Sequence, residues 1–206
     1  MRANLLERSV LAAILLLCAN FTLGCATVVV PLKPRAAAML DSDHGLVFGR
    51  IHLTRSGEDH HPNLRLPIDM KWWVTEETKG RPFLIDHLPI DGPFVVKLPA
   101  GSYRLTAVNL DDALGLWQAS LPTTFSVRSQ ECTYLGTWNL QVQTEFFDGS
   151  INRQVLNQEE QAEHDLRMIV GDISWPIMSA PLALATESSP IILTFRTQGT
   201  ALTSPP

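Results

Sequence analysis

The sequence predicts a mainly β protein: an antiparallel two-sheet sandwich of the immunoglobulin or transthyretin-like kind, with one helix packed on it near the C-terminus. Between Gly45 and Val142, apolar and polar residues alternate with a period of two in one segment after another, as in strands with one buried face. Turn residues separate most of these segments. Successive strands of a parallel sheet would need a helix between them, and no helical pattern lies between these segments.

The chain opens with a basic start, Arg2 and Arg8, and a short apolar segment, Val10–Leu17, which is typical of an export signal rather than of folded structure. Residues 22–24, Thr-Leu-Gly, then precede Cys25. This arrangement resembles the bacterial lipobox, in which signal peptidase cuts before a cysteine that then carries a diacylglyceryl group. The resemblance implies a lipoprotein signal peptide over residues 1–24, an acylated and palmitate-bearing Cys25, and the lipid bilayer as a partner.

Two other interpretations of the N-terminus stay open. Gly24 and Ala26 also satisfy the small-x-small rule for ordinary secretory cleavage after Ala26, which would release a soluble periplasmic or secreted protein. Uncleaved, the segment Ser9–Leu32 is about long enough to cross a bilayer. Among Gram-negative lipoproteins, an aspartate after the lipidated cysteine commonly signals inner-membrane retention. Because Ala26 stands there, the resemblance implies the outer membrane.

Composition is that of one exported globular domain. Hydrophobic residues make up 45% of the 206 residues and charged residues 18%, enough for one core. Loss of residues 1–24 removes Arg2, Arg8 and Glu7 and changes the formal net charge from −5 to −6, which argues against a nucleic-acid partner.

The cysteine count excludes a disulfide within the mature chain. Cys18 leaves with the signal peptide and Cys25 is expected to be acylated, so Cys132 has no intramolecular partner. We expect Cys132 to be a small buried apolar residue at a strand start, with a reactive or intermolecular thiol as the alternative.

Residues 25–44 contain two prolines and an alanine run and are predicted to be a tether, with the β domain spanning residues 45–171. Phe94–Leu98 and Tyr103–Ala107, joined by the turn Pro99–Gly101, have the pattern of a hairpin. The other predicted strands are Val47–Thr54, Ile68–Thr75, Phe125–Val127 and Cys132–Val142, in which Tyr134, Trp138, Leu140 and Val142 share one face.

The run FVVKLPAGSYRL at residues 94–105 resembles the strand, turn and strand of carboxypeptidase regulatory-like domains and their transthyretin-like relatives. The later run CTYLGTWNLQV at residues 132–142 resembles a strand found in bacterial lipoproteins with such domains, where a short acidic helix follows. The resemblance covers about half of the chain. It implies a non-catalytic binding or scaffolding module. The partner we expect, an envelope protein, is inferred instead from the outer face near Trp73.

After the last long strand, Phe146–Gln154 is predicted to be a polar loop and residues 158–170 a helix. Asn157 and Glu160 have the spacing of a helix cap, and Gly171 stands where a helix would stop. The apolar stripe of this helix predicts packing on the β domain. Residues 172–206 are a tail rich in Pro, Ser and Thr, with one strand predicted over residues 191–195.

Candidate chemistry is sparse. Glu58, Asp59, His60 and His61 offer imidazole and carboxylate ligands for a divalent metal, but adjacent histidines on an extended chain do not readily face one ion, which favours a solvated loop. The pair at residues 111–112 is typical of a turn. Asp86 and His87 are neighbours without a serine elbow.

The sequence contains no phosphate-binding glycine loop, no H-E-x-x-H and no C-x-x-C. We therefore expect a protein that is not an enzyme, with no catalytic, cofactor-binding or metal-binding residue assigned. The alternative is an envelope hydrolase or metal-dependent enzyme that uses the loop of His60 and His61.

Trp73 is the feature of the sequence that favours a protein-binding function. If Trp72 points into the core, alternation places Trp73 on the outer face, where an exposed tryptophan would be a typical interface anchor. The alternative is that the helix or the C-terminal tail covers it.

Overall fold

The computed structural model describes residues 25–34, 41–55, 68–112, 115–145, 148–182 and 190–196. The described part is built mainly of strands, as predicted, with a helix, α1, at Glu159–Val170. The strands are β1 Thr27–Val29, β2 His44–Arg55, β3 Asp69–Glu76, β4 Arg81–Leu88, β5 Asp91–Pro99, β6 Gly101–Asp112, β7 Gly115–Val127, β8 Cys132–Glu145, β9 Asp148–Leu156, β10 Ile177–Ser179 and β11 Ile191–Arg196.

The strands form one continuous hydrogen-bonded sheet in the order β1-β4-β3-β6-β7-β11-β9-β8-β2-β5, with β10 paired to the start of β8. The pairs β1–β4, β2–β8 and β10–β8 are parallel and the other pairs are antiparallel. The sheet curls until its two edge strands, β1 and β5, come close. The Leu32 backbone N–H, just after β1, donates to the Val95 carbonyl of β5 at 2.8 Å. The result is a nearly closed, barrel-like sheet of mixed strand direction, whereas we expected purely antiparallel pairing.

The predicted hairpin around Pro99–Gly101 is wrong. Only Ala100 separates β5 from β6, but β5 pairs with β2, while β6 pairs with β3 and β7. The chain therefore arches from one half of the sheet to the other. A tight glycine turn is compatible with either geometry, because the turn residues set the reversal of the chain and not the partner of each strand.

The predicted polar loop at Phe146–Gln154 is also wrong from Asp148 onward. Residues Asp148–Leu156 form β9, which pairs with β8 on one side and with β11 on the other. Ile151 is its one fully buried apolar side chain. The sequence lacks alternation here because ladder hydrogen bonds on both edges, rather than a buried face, hold the strand.

The main core fills the inside of the curled sheet. Aromatic rings from opposite halves meet there: Trp72 of β3 contacts Phe94 of β5 with ring centroids 5.3 Å apart, and Trp138 of β8 at 4.8 Å. These edge and tilted contacts add to the burial of apolar area. The aromatic contacts thus hold the two halves together.

Helix α1 packs outside the sheet, on β2, β5 and β8, and covers a second cluster of buried residues. We call this the helix-side cluster; it contains Leu46, Phe48, Val95, Cys132, Tyr134, Ala162, Leu166 and Ile169. Arg50 of β2 donates to Asp165 of the helix in a partly buried ion pair. The prediction of a helix packed on the β domain is confirmed.

The ends of the helix differ in how well the sequence predicted them. Gly171 stops the helix with a positive φ of 81°, and its N–H donates to the Arg167 carbonyl at 2.9 Å. The predicted cap by Asn157 and Glu160 is wrong. The N-cap residue is Gln158, whose side chain makes no capping bond, and its backbone N–H donates instead to the Tyr134 hydroxyl at 2.9 Å. A tertiary contact replaces the local cap.

A β-bulge in β8 reverses the expected orientation of Tyr134. The register of β8 against β2 shifts after Tyr134, where Gly136 has a φ of +100°. Because one extra residue moves later side chains to the other face, Trp138 enters the main core while Tyr134 joins the helix-side cluster. The prediction that these two residues share a face is therefore wrong.

Part of the segment predicted to be a tether is built into the fold. Thr27–Val29 is strand β1, and Leu32 packs against the helix-side cluster. The strand also argues against one membrane-crossing helix over Ser9–Leu32, of which residues 9–24 lie outside the described part. No helix in the described ranges is long and apolar enough to cross a bilayer.

Candidate functional site

Cys25 lies exposed at the edge of the sheet, with Ala26 as the single residue between it and β1. Strand β1 runs parallel to β4, with Thr27 opposite Phe83. Cys25 is therefore level with the start of β4, near Arg81. An exposed sulfur at this position is accessible to a modifying enzyme and is held close to the folded body.

Strand β1 has one inward and one outward face. Val29 packs against the main core, whereas Val28 and Val30 are 60% and 51% exposed. Val28 lies opposite Leu84 of β4 in the ladder. Exposed valines at alternate positions give the strand an apolar outer face just beyond Cys25. Sequence reasoning missed this face because the whole segment was taken as a tether; the run of three β-branched valines at residues 28–30, which favours a strand, was the available signal.

The end of the sheet near Cys25 is formed by the β3–β4 turn, residues 77–80, and by the start of β4. Buried Glu76 accepts the backbone N–H groups of Thr78 and Lys79 at 3.1 and 2.9 Å, which orders the turn. Lys79 and Arg81 are exposed and have no ion-pair partner among the described residues. We call this region the Cys25 end.

The opposite end of the sheet is acidic. Asp69, Asp86 and Asp111 surround the Lys71 ammonium, with Nζ 3.2, 3.6 and 3.8 Å from their carboxylate oxygens. Partial burial alone would lower the pKa of Lys71, but the hydrogen bond with Asp69 and the field of the three carboxylates raise it overall. We call this region the aspartate end. A lysine cation already occupies the centre of the carboxylates.

In the described part of the chain, two groups of side chains have ligand atoms close enough to hold a cation. One is Asp69, Asp86 and His87 at the aspartate end, where Lys71 competes for the same oxygens. The other is formed by the neighbours at positions 41, 43 and 44, where the hydrogen bond from His44 is the main cause of a lowered pKa of Asp43. Both groups are satisfied by ordinary ion pairs and hydrogen bonds.

Two groups of candidate residues from the sequence remain: the loop of His60 and His61, and the aspartate pair at residues 111–112. Glu58, Asp59, His60 and His61 lie outside the described residues. At the β6–β7 connection, Asp112 Oδ1 accepts the Gly115 N–H at 3.1 Å, which confirms the turn role expected for the pair at residues 111–112.

Trp73 is buried, with 7% of its surface exposed. Trp72 lies in the main core, so the two side chains occupy opposite faces as alternation predicts. Its burial agrees with the covered alternative, but the helix packs mainly on β2, β5 and β8, and no described contact joins Trp73 to the helix or to the tail. The exposed anchor that we considered is not present on this face of β3.

Cys132 is fully buried in the helix-side cluster, and burial raises the pKa of its thiol to about 11. A raised pKa leaves little thiolate at neutral pH, and the thiolate is the reactive form. Cys132 is therefore the inert apolar side chain that we expected.

A groove of about 370 Å³ lies between the end of β7 and strand β10, at the Cys25 end. Its lining combines hydroxyls, such as Ser126, with Met178 of β10 and with three charged residues, Glu77, Arg128 and Glu131. Among the described strands, β10 pairs only with β8, and its residues Met178 and Ser179 line the groove. Sequence reasoning missed the groove because it depends on β10, which comes from the segment taken as a tail.

Comparison of the chain with protein-family models, with curated proteins and with solved structures found no match.

Proposed function

We propose that this protein is a membrane-anchored lipoprotein of the bacterial cell envelope whose β domain presents a non-catalytic binding or structural surface. The observation that carries the proposal is the position of Cys25. It is exposed, it follows a lipobox-like Thr-Leu-Gly, and it stands one residue before the first strand. An acyl group there meets no steric barrier from the fold.

Acylation at Cys25 would hold the protein on the membrane. Each buried methylene contributes about 0.8 kcal/mol, so one chain holds only marginally, whereas the two chains of a diacylglyceryl group hold stably. With Ala26 in place of a retention aspartate, the outer membrane is the proposed location.

Mass spectrometry of the native N-terminus tests the anchor. We expect a diacylglyceryl thioether on Cys25 as the first residue, and loss of acyl labelling and membrane association in Cys25→Ser. Cys18→Ser is the matched control, because Cys18 is expected to leave with the signal peptide, and it should leave labelling unchanged. An unmodified N-terminal peptide beginning after Ala26 would show a secreted protein instead.

We propose the groove beside β10 as the binding surface for an envelope protein. The groove lies at the Cys25 end, but β4, β3 and β6 separate β7, which forms its wall, from β1 in the sheet. Its volume falls within the range of about 300–1,000 Å³ common for binding sites. The free edge of β10 offers backbone donors and acceptors for an added extended segment. The mixed lining of hydroxyls, one methionine and three charged residues, Glu77, Arg128 and Glu131, suits a polar peptide better than an apolar ligand.

Site-specific photocrosslinking tests the groove. A photoreactive residue at Met178, in the groove wall, should crosslink to one envelope protein in intact cells. The same residue at Ile192, an exposed apolar position on β11 away from the groove, is the control. Equal crosslinking from both positions, or none from Met178, would refute the groove as the binding surface.

We propose further that the domain is a flattened sandwich of the immunoglobulin or transthyretin-like class. The arch from β5 to β6 supports this, since such arches join facing sheets. So does the contact of Trp72 with Phe94 and Trp138 across the core.

The competing proposal, an envelope hydrolase or metal-dependent enzyme using His60 and His61, is tested by metal analysis. We expect the purified protein to contain no stoichiometric divalent metal. We also expect its metal content to be the same in the His60→Ala, His61→Ala double variant.

A further inference from the structure

We propose that the outer face of strand β1 lies on the bilayer, with Val28 and Val30 in the interfacial layer, so that the domain is docked on the membrane rather than suspended from it. This inference rests on the proposed acylation of Cys25. The occupant of the apolar face is the lipid surface that carries the anchor.

Because the connection between Cys25 and the sheet is short, the sheet must lie close to the membrane. A tether of about 20 extended residues would let the domain move about 65 Å from the membrane. Instead, Cys25 and Thr27 are two residues apart, so their Cα atoms are at most about 7 Å apart. The polar layer on one side of a bilayer is about 5–7 Å thick. Strand β1 therefore begins at the membrane surface.

Strand β1 cannot swing away from the domain without breaking contacts. It pairs with β4 over Thr27–Val29, and Val29 packs against the main core. Just beyond it, the Leu32 N–H donates to the Val95 carbonyl, and Leu32 packs against the helix-side cluster. Because the strand is fixed at both ends, its orientation on the bilayer sets the orientation of the whole domain.

The surface chemistry of β1 matches a lipid interface. Val28 and Val30, the latter just after β1, are 60% and 51% exposed and flank Val29, which packs against the main core. Amphipathic elements bind bilayers by placing such an apolar face at the boundary between headgroups and acyl chains. The other large apolar side chains that are exposed in the described part lie elsewhere in the chain: Ile90, Met168, Met178 and Ile192.

The charges agree with this orientation. Lys79 and Arg81, exposed at the Cys25 end, would face the headgroup phosphates, and Lys33 is exposed just beyond β1. The carboxylates cluster at the aspartate end, where β4 finishes. The acidic groups at the Cys25 end are paired, Glu77 with Arg104 and Glu131 with Arg128, whereas the aspartate end gathers three carboxylates around one lysine. Anionic lipids therefore repel the aspartate end more strongly than the Cys25 end.

Fluorescence quenching in vesicles tests the docking. A nitrobenzoxadiazole probe is attached to Val28→Cys, Val30→Cys or Ile192→Cys in the acylated protein. Acylation blocks the sulfur of Cys25 and burial protects Cys132, so each variant takes one probe. The vesicles contain phosphatidylethanolamine and phosphatidylglycerol, with a doxyl-labelled phosphatidylcholine as the quencher.

Docking predicts a several-fold rise in fluorescence with a blue shift at positions 28 and 30, and strong quenching by doxyl lipid. Position 192, an equally apolar site on β11, should show neither change. An acylated protein with the same emission at all three positions would overturn the docking and leave the anchor intact. A protein that mass spectrometry shows to be unacylated would overturn both. A blue shift at position 28 that follows protein concentration without lipid would overturn docking in favour of contact between two copies.

Discussion

Arg55 and Asp112 form an ion pair that joins the end of β2 to the end of β6. Arg55 Nη2 donates to Asp112 Oδ2 at 2.8 Å, and the two side chains are 14% and 1% exposed. These strands lie far apart in the order of the sheet, on opposite sides of the main core. The pair therefore closes one end of the curled sheet across its interior.

Loss of Asp112 should destabilise the protein strongly. Asp112→Ala leaves the Arg55 guanidinium buried without its carboxylate, and removing one partner of a buried pair costs about 3–5 kcal/mol. Urea unfolding followed by tryptophan fluorescence measures the change. Asp111→Ala is the matched control, because Asp111 is only partly buried and 3.8 Å from Lys71, and it should cost less than about 1 kcal/mol. Equal losses in the two variants would contradict the closing role of the pair.

The bulge in β8 predicts an unequal response of two glycines to alanine. Gly136 has a φ of +100°, and a Cβ there would lie 2.4 Å from Val155 Cγ1. Gly92 also has a positive φ, +137°, but open space around it. Both variants carry backbone strain. Gly136→Ala should lose a further 1–3 kcal/mol, approximately the cost of overpacking, in the same urea assay. A smaller loss at Gly136 than at Gly92 would be inconsistent with the crowded bulge.

The start of the helix should depend on the Tyr134 hydroxyl. Tyr134→Phe removes the acceptor for the Gln158 N–H and is expected to cost about 1–3 kcal/mol, since it leaves a donor without its partner. Hydrogen exchange of the amides at residues 158–161 should accelerate more than exchange in β2. Glu160→Gln, an exposed change in the first turn, is the control and should leave exchange at Gln158 nearly unchanged. Unaltered exchange in Tyr134→Phe would show that the hydroxyl does not hold the helix end.

Cys132 should be almost unreactive in the folded protein. Since burial raises its pKa from the ordinary 9.0 to about 11, the thiolate fraction at pH 8 falls about 100-fold. In a Cys18→Ser, Cys25→Ser double variant, which retains Cys132 as the single thiol, a disulfide reagent should react slowly until urea unfolds the protein. Ile192→Cys in the same background supplies an exposed thiol as the reference. Rapid reaction of folded Cys132 would reveal an accessible thiol.

The same shift predicts a loss of stability at high pH. A thiol whose pKa is raised in the folded state contributes its full stabilisation at pH values below the pKa that it has in the unfolded state. That contribution to the unfolding free energy disappears as pH rises towards 11. The raised pKa of Lys71 acts in the same direction. Cys132→Ala should therefore show a shallower decline in unfolding free energy between about pH 9 and 11 than the parent chain. Equal slopes of unfolding free energy against pH in the two proteins would show that other groups cause the loss of stability.

Much of the strand content was visible in the sequence because alternation reports a buried face. β2, β3, β5 and β8 lie close to their predicted ranges, and the stop at Gly171 needs only local backbone geometry. Among the missed strands, β1, β9 and β10 have weak alternation or few residues. β4 and the part of β7 before Phe125 were also missed, although their side chains alternate between buried and exposed. Hydrogen bonds to neighbouring strands hold β1, β9 and β10 in place, and these bonds depend on the partner strands rather than on the sequence of each strand.

The candidate site was predicted only at Cys25. The groove needs β10 beside β7, and the apolar face of β1 needs Val29 to be turned inward against the core. Neither relationship follows from local spacing, since each brings together segments that are far apart in the chain. Trp73 shows the same limit, because alternation placed it on the outer face but did not determine what covers it.

By itself, the sequence determined the β class of this protein, the position of its helix and the cysteine that we propose as its anchor. Each of these depends on residues within one short stretch. The tertiary structure decided which strands pair, the face on which Tyr134 lies and how closely β1 is held to the body. These depend on long-range hydrogen bonds and packing, which no single stretch of the sequence specifies.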